Sequence, residues 1–322
     1  MRKVDARAAA PTTQGNMDNT EPAGPSSPAR TPKARRVPPG WKAPGPPGST
    51  RDVALEPDEE LSWLLGDWRI IQRRNGHRWS LDDFVTAWVA RDIGLAAAPT
   101  GLQSRLRHPC EGPREILDLG CGIGSVALML GWCFPDARVT GVEAQDVSYR
   151  MAVRSVVANA AEDRFTIIHM DLRAAFEHRL TPGRYDLVSG TPPYFDDPHQ
   201  TRSLAIQKGP CRFEERGGVA DYLRALGLAL TANGHAVICH ASRHRARVLA
   251  AIADSGLALV RQLEVIPKVA REALIDVFVL ARSRDPVATP PFLEQLVVRD
   301  RLDQWTPAFL AVRLAMGMPP RP

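Results

Sequence analysis

Ile116-Leu117-Asp118-Leu119-Gly120-Cys121-Gly122-Ile123-Gly124 decides the fold of this chain. A short apolar run ends in glycines spaced two apart, which reads as a buried strand entering a tight turn. The pattern is G-x-G-x-G and not the G-x-G-x-x-G of dinucleotide-binding turns, because Ser125 follows Gly124. Glycine lets the backbone take positive φ and approach a ligand closely. At the carboxyl end of a strand, such a turn faces the crevice where open α/β sheets bind ligands. Taken alone, it reads equally as a tight strand–helix joint. Outward from it, strands at 115–119, 138–142, 165–169, 185–189, 235–239, 258–266 and 273–281 alternate with helices at 124–133, 146–160, 219–232 and 242–255. That alternation predicts an α/β fold with a mainly parallel sheet covered on both faces. Turn clusters at Pro135-Asp136, Thr181-Pro182-Gly183 and Thr231-Ala232-Asn233-Gly234 mark joints. Upstream, Ser80-Leu81-Asp82-Asp83 resembles a capping box that opens a further helix.

Composition narrows the class. The chain has 322 residues, 44% of them hydrophobic, enough for a substantial core. No apolar run reaches the roughly 18 residues needed to span a bilayer, so no membrane is expected. The five cysteines, Cys110, Cys121, Cys133, Cys211 and Cys239, include no C-x-x-C pair. This predicts reduced thiols in a cytoplasmic protein, with neither a metal site nor a disulfide framework. The net charge of +5 is local: residues 1–50 carry eight Lys/Arg against three Asp/Glu, and the rest is balanced. That segment also holds ten of the 28 prolines, so it is expected to be a disordered basic tail. Its charge suits RNA phosphates or simply water. Residues 51–110 are expected to form an N-terminal element at the substrate and cofactor edge, and 111–322 the main domain. Structure is expected to begin near Leu55 to Leu65.

The glycine turn resembles the cofactor loop of S-adenosylmethionine (SAM) methyltransferases. Three acids follow three successive strands: Asp118, Glu143 and Asp171. Glu143, at the end of Val139-Thr140-Gly141-Val142, can accept both hydroxyls of a ribose. It also reads as an acid favoured at a helix start. Asp171 sits where an acid meets the adenine amino group of SAM, or equally where a helix N-cap belongs. The combination is more specific than any one acid.

Leu187-Val188-Ser189-Gly190 leads into Thr191-Pro192-Pro193-Tyr194-Phe195. The loop resembles the Asn-Pro-Pro-Tyr catalytic loop of enzymes that methylate planar nitrogens, with Thr191 in place of Asn. An exocyclic amine on an aromatic ring is a poor nucleophile because its lone pair is delocalised. Two acceptors, one on each N–H, can hold it so that the lone pair faces the methyl donor. Paired prolines fix a backbone carbonyl at little entropic cost. The Pro192 carbonyl is one expected acceptor and Tyr194 the surface on which the base stacks, worth roughly 1–3 kcal/mol. The Thr191 hydroxyl can accept one bond. A rigid turn with no catalytic role is the plain alternative reading of Thr-Pro-Pro.

The wider chain resembles the valine-tRNA adenine-N6 methyltransferase family. Asp67-Trp68-Arg69-Ile70-Ile71-Gln72 and Asn75-Gly76-His77-Arg78-Trp79-Ser80-Leu81-Asp82 resemble its N-terminal element. Gly141-Val142-Glu143-Ala144-Gln145, Met151 to Val156 and Asn159 resemble its second strand and helix. Pro192 to Phe195, Arg212-Phe213-Glu214, and Leu296 to Arg299 with Trp305-Thr306 continue the likeness in order. The resemblance implies a Rossmann-like seven-strand fold with an antiparallel last hairpin, SAM as cofactor, no metal, and an adenine of tRNA as substrate. It implies that Asp82 lies near the methionine end of SAM and that Gly120, Gly122 and Glu143 bind it; Gly124, Asp118 and Asp171 join the expected cofactor site from their own places in the turn and after successive strands. It implies that Pro192 and Tyr194 hold the base; Thr191 and Pro193 are further catalytic candidates in the same loop, and Phe195 and Arg212 are candidate substrate contacts.

Two other functions compete: an N-methyltransferase of protein glutamine or a small molecule, and a SAM- or RNA-binding module with weakened catalysis. The run His240-Ala241-Ser242-Arg243-His244-Arg245-Ala246-Arg247 suits tRNA phosphates or a solvated helix face. His77, His169 and His240 have no assigned role.

Overall fold

The computed structural model describes residues 37–49, 51–96, 112–194, 217–282 and 292–320. All of them fall within one compact unit, Pro32–Pro322. The strands are β1 (Glu59–Trp63), β2 (Arg69–Arg73), β3 (Glu115–Leu119), β4 (Arg138–Glu143), β5 (Phe165–His169), β6 (Tyr185–Gly190), β7 (Leu230–Ala241), β8 (Leu257–Ile266), β9 (Ile275–Arg282) and β10 (Phe292–Val297). The helices are α1 (Leu81–Ala96), α2 (Ser125–Cys133), α3 (Asp146–Ala158), α4 (Leu172–His178), α5 (Val219–Ala229), α6 (Arg245–Asp254) and α7 (Pro307–Ala315).

Strands β3 to β10 form one sheet in the order β10-β8-β9-β7-β6-β3-β4-β5. Every pairing is parallel except the two made by β9, with β7 and β8. The α/β architecture and antiparallel hairpin therefore stand as expected. The seven-strand count is corrected to eight by β10, an edge strand on β8. Its sequence, Phe292-Leu293-Glu294-Gln295-Leu296-Val297, carries polar residues that pair with β8 side chains, Glu294 with Arg261 and Gln295 with Glu264. A strand with one polar edge lacks the continuous apolar run that reveals the central strands.

Alternation along the strands separates two cores. Ile116, Val139, Leu187 and Val237 face a layer built with α1 and α2. Leu117, Leu119, Val142, Val188 and Ile238 face α4, α5 and α6. Asp118 lies between Leu117 and Leu119 and so turns toward the α1–α2 side, where the amide of Ala127 on α2 reaches it.

Four local expectations change. The turn at Thr231 to Gly234 lies inside β7, where the register against β6 jumps between Tyr185–Leu230 and Leu187–His235. The extra residues bulge, and α5 ends at Ala229. The helix expected at 242 opens with a 3-10 turn, Ser242–His244. Helices α4 and α7 were not anticipated. Expected disorder does not extend over 37–49: Gly45 lies against the Trp132 indole and Gly48 against Asp67, contacts that any side chain at those positions would block.

The hairpin β1–β2 is fastened to α3 through side chains. Asn159 accepts from the Arg69 amide at 2.8 Å and donates to the Arg69 carbonyl at 2.7 Å. Ser155 accepts from the Ile71 amide at 2.9 Å. Both side chains are buried, so they act as a partner strand for one edge of β2. Asn159→Ala strands the Arg69 backbone groups and should cost about 2–4 kcal/mol in urea unfolding; a loss under 0.5 kcal/mol would show that the hairpin docks by apolar contact alone.

Candidate active site

The carboxyl ends of β3, β4 and β6 and the start of α1 enclose a pocket of about 570 Å³. Its walls include Asp82, Gly120, Gly122, Glu143, Thr191, Pro192, Pro193 and Tyr194. The structure thus brings the two sequence motifs, separated by some seventy residues of chain, to one cavity.

The glycine turn has left-handed backbone at Gly120, Gly122 and Gly124, with φ of 62°, 57° and 86°. A methyl group at Gly120 would collide with the Tyr222 hydroxyl, whereas one at Gly122 would meet no atom within 4 Å. Gly120 is therefore required by packing beneath the turn, and Gly122 by backbone geometry at an open wall. Gly124 caps α2 against Ala152 and does not reach the pocket.

Glu143 is 5% exposed, and its carboxylate accepts from two backbone amides, Gly122 at 2.9 Å and Gln145 at 2.6 Å. It is oriented at the pocket wall by the turn after β3 and the chain after β4. Asp118 lies behind that wall, accepting from the Ser189 hydroxyl at 2.8 Å and the Ala127 amide at 3.0 Å. Burial raises its pKa to about 7, opposed by those two bonds and reinforced by the charge of Glu143. Asp118 supports the turn and does not line the cavity. Asp171 caps α4 through the Arg173 amide at 2.9 Å and pairs with the Arg173 guanidinium. Its neighbours Met170 and Leu172 line the pocket in its place.

On the opposite wall, the Tyr194 hydroxyl donates to Asp82 at 2.9 Å and lies 3.5 Å from the Cys239 sulfur. Burial, with Cys239 and the Asp82 carboxylate beside it, pushes this phenol well above its usual range, so it stays a neutral donor. Asp82 also accepts from the Ser80 hydroxyl. The next carboxyl, Asp83, accepts from the Ser80 amide at 3.0 Å, one half of the anticipated capping box. Burial and the adjacent Asp82 charge raise Asp83 well above the carboxylate range. His240 tilts against the Tyr194 ring at 5.0 Å between centroids. Burial lowers its pKa to about 4, so it packs as a neutral ring.

Phe195 and Arg212 lie outside the described residues, as does most of the loop expected at 190–217. The sequence reading missed Tyr222, Gln145, Met170, Leu172, His77 and Arg78, all of which line the pocket. Tyr222 sits mid-helix and gave no signal. Gln145 follows Glu143 by two residues, and its amide clamp was legible only as part of the family signature.

The walls suit SAM. They combine a glycine turn with room above Gly122, an oriented carboxylate able to accept from a diol, and apolar Met170 and Leu172 beside it. Among the described residues no cluster of His, Cys, Asp and Glu can hold a metal ion, and no helix is long and apolar enough to cross a membrane.

Comparison with known proteins agrees with this geometry. The family described as "Methyltransferase small domain" matches residues 98–209. The tRNA1(Val) (adenine(37)-N6)-methyltransferase of Bacteroides thetaiotaomicron is 33% identical over 123 residues, 36% of this chain and 50% of that protein. The protein of the same name from Flavobacterium johnsoniae is 26% identical over 62% of this chain and 81% of its own length. That from Aeromonas hydrophila is 31% identical over 51% of this chain and 67% of its own length. The match spans about half the length of the Bacteroides relative and of two relatives from Porphyromonas gingivalis. With the glycine turn, the clamped Glu143 and the Pro-Pro-Tyr loop gathered at one pocket, this likeness places the chain in the tRNA1(Val) (adenine(37)-N6)-methyltransferase family.

Proposed function

We propose that this protein methylates a planar exocyclic nitrogen, N6 of an adenine in tRNA, with SAM as the methyl donor. The observation that carries the reading is the single pocket shared by the Gly120–Gly122 turn with Glu143 and by the Thr191–Tyr194 loop. When bound, SAM supplies an electrophilic methyl group on a sulfonium. Gly120, Gly122 and Glu143 would hold its nucleoside part, and Asp82 would lie toward its amino-acid end.

The chain's own residues then handle the base. Tyr194 is fixed at its hydroxyl by Asp82 and flanked by His240, so its ring offers one orientation for stacking. Pro192 is buried and Pro193 half-buried, and together they hold the loop backbone rigid after β6. Acceptors on this side are the Pro192 carbonyl and the Thr191 hydroxyl, with the Asp82 carboxylate on the same pocket wall. Held by acceptors, the amine nitrogen gives up part of its conjugation with the ring; as its lone pair takes the methyl carbon the donor's C–S bond would break, and one N–H proton would pass to an acceptor or to water. Orientation supplies most of the rate, and no strong general base is needed.

Tritium transfer from labelled SAM to total RNA, protein and small-metabolite fractions tests this reading. Label should appear in tRNA as N6-methyladenosine; label confined to protein or metabolites would remove it.

Asp118, beneath the donor wall, makes a pH prediction. In the folded protein its pKa is about 7, against an ordinary value of 3.8. The folded state keeps a proton that the unfolded chain releases, so this group opposes folding increasingly from about pH 4 to 7. Asp118→Asn can keep an acceptor for one of its two partners and carries no charge. Relative to the natural protein it should gain stability between pH 4 and 8, on the order of 4 kcal/mol. A stability difference that is flat with pH would refute the assignment.

A further inference from the structure

Residues 78–84 are a wall between two cavities. Arg78, Ser80, Asp82 and Asp83 line the pocket described above. Trp79, Leu81 and Phe84 line a second cavity of about 310 Å³, closed on its far side by Trp305, Phe309 and Arg313. Both cavities belong to one edge of the sheet. β9 is antiparallel to β7 and to β8, so β8 runs in the direction of β7, and β10 is parallel to β8. Pro267 and Val298, just past the carboxyl ends of β8 and β10, therefore stand on the same edge as Gly120 and Thr191, and both line the second cavity.

Its chemistry is that of a base-stacking cleft. Trp79 and Trp305 are half-buried. The Arg313 guanidinium carbon lies 3.7 Å from the Trp305 ring centroid, a stack of cation on indole. Arg299 adds a second guanidinium, bonded to the Asp303 carbonyl at 2.7 Å, and shares the single Asp303 carboxylate with Lys268, at 3.5 and 3.6 Å, which leaves a net positive charge beside the cleft. Aromatic faces interleaved with guanidinium groups are how proteins hold single-stranded nucleic acid without reading its sequence.

We propose that this cleft takes an unpaired base of the RNA substrate, a neighbour of the base held at Tyr194, with the strand passing over residues 78–84. The inference rests on the proposed RNA substrate and adds a second anchor for it. Two anchors across one wall select RNA whose target adenine lies in a single-stranded, splayed segment, since a paired strand cannot send two bases to opposite sides of a ridge.

The test is steady-state methylation of tRNA by the full chain and by Trp305→Ala, Trp305→Tyr and Arg313→Glu. Stacking on one aromatic ring is worth a factor of roughly 5 to 150. Trp305→Ala and Arg313→Glu should raise KM for tRNA at least fivefold, with kcat at saturating RNA and SAM affinity within twofold of the natural protein. Trp305→Tyr, which keeps an aromatic face, should recover most of the loss. If Trp305→Ala fails to fold, Arg313→Glu alone carries the comparison. Unchanged KM in variants of an enzyme that does methylate tRNA would overturn the cleft and leave the proposed function intact. Altered light-scattering mass with unchanged KM would assign the cleft to a second copy of the chain and would also overturn it. A natural protein that transfers no methyl group to RNA would remove the substrate reading first, and this one with it.

Discussion

Two backbone amides, from Gly122 and Gln145, grip the Glu143 carboxylate, and the functional edge of this protein depends on that grip. The bond from Gly122 forms only because the turn after β3 takes left-handed backbone, which glycine alone adopts without strain. The bond from Gln145 forms because the chain leaves β4 and enters α3 within two residues. Together they tie the ends of two parallel strands and aim one buried acid at the pocket. An acid already paid for in desolvation and held by two amides needs little reorganisation to receive a diol.

A second set of acids sits behind and beside it. Asp118 and Asp83 are buried and shifted upward, whereas Asp82 is held at the pocket by Tyr194 and Ser80. The division separates buried carboxyls from a half-buried one: Asp118 fastens α2 and β6 to β3, Asp83 caps α1, and Asp82 fixes Tyr194. The Tyr194 ring is therefore anchored to the same helix start that bounds the pocket. A shift of α1 would move Asp82 and Tyr194 together, because the two are joined by a hydrogen bond.

The central strands β3, β4 and β6 were legible because strands buried on both faces are continuous apolar runs, and they match their expected bounds within a residue, as does the edge strand β5. β10 was not read as a strand, since Glu294 and Gln295 break its run to pair along the edge. α7 carried a start signal that went unread: the Thr306 hydroxyl accepts from the Phe309 amide, and proline follows at Pro307. At the site, Glu143 and Thr191 to Tyr194 stand on the pocket where strand ends were expected to put them. Asp171 took its alternative place as a helix cap, because Arg173 two residues on offers both an amide and a guanidinium. Tyr222 owes its place to packing between distant segments, which no spacing along the chain encodes, whereas Asp83 takes the capping position that its spacing from Ser80 offered.

The account rests on a donor site built around Glu143. Isothermal titration of the purified chain with S-adenosylhomocysteine, the demethylated donor, measures it directly. Saturable one-to-one binding is expected for the natural protein, and Glu143→Ala should weaken it at least tenfold, with the fold intact by circular dichroism. No heat of binding from the natural protein, or equal affinity in the variant, would contradict the account.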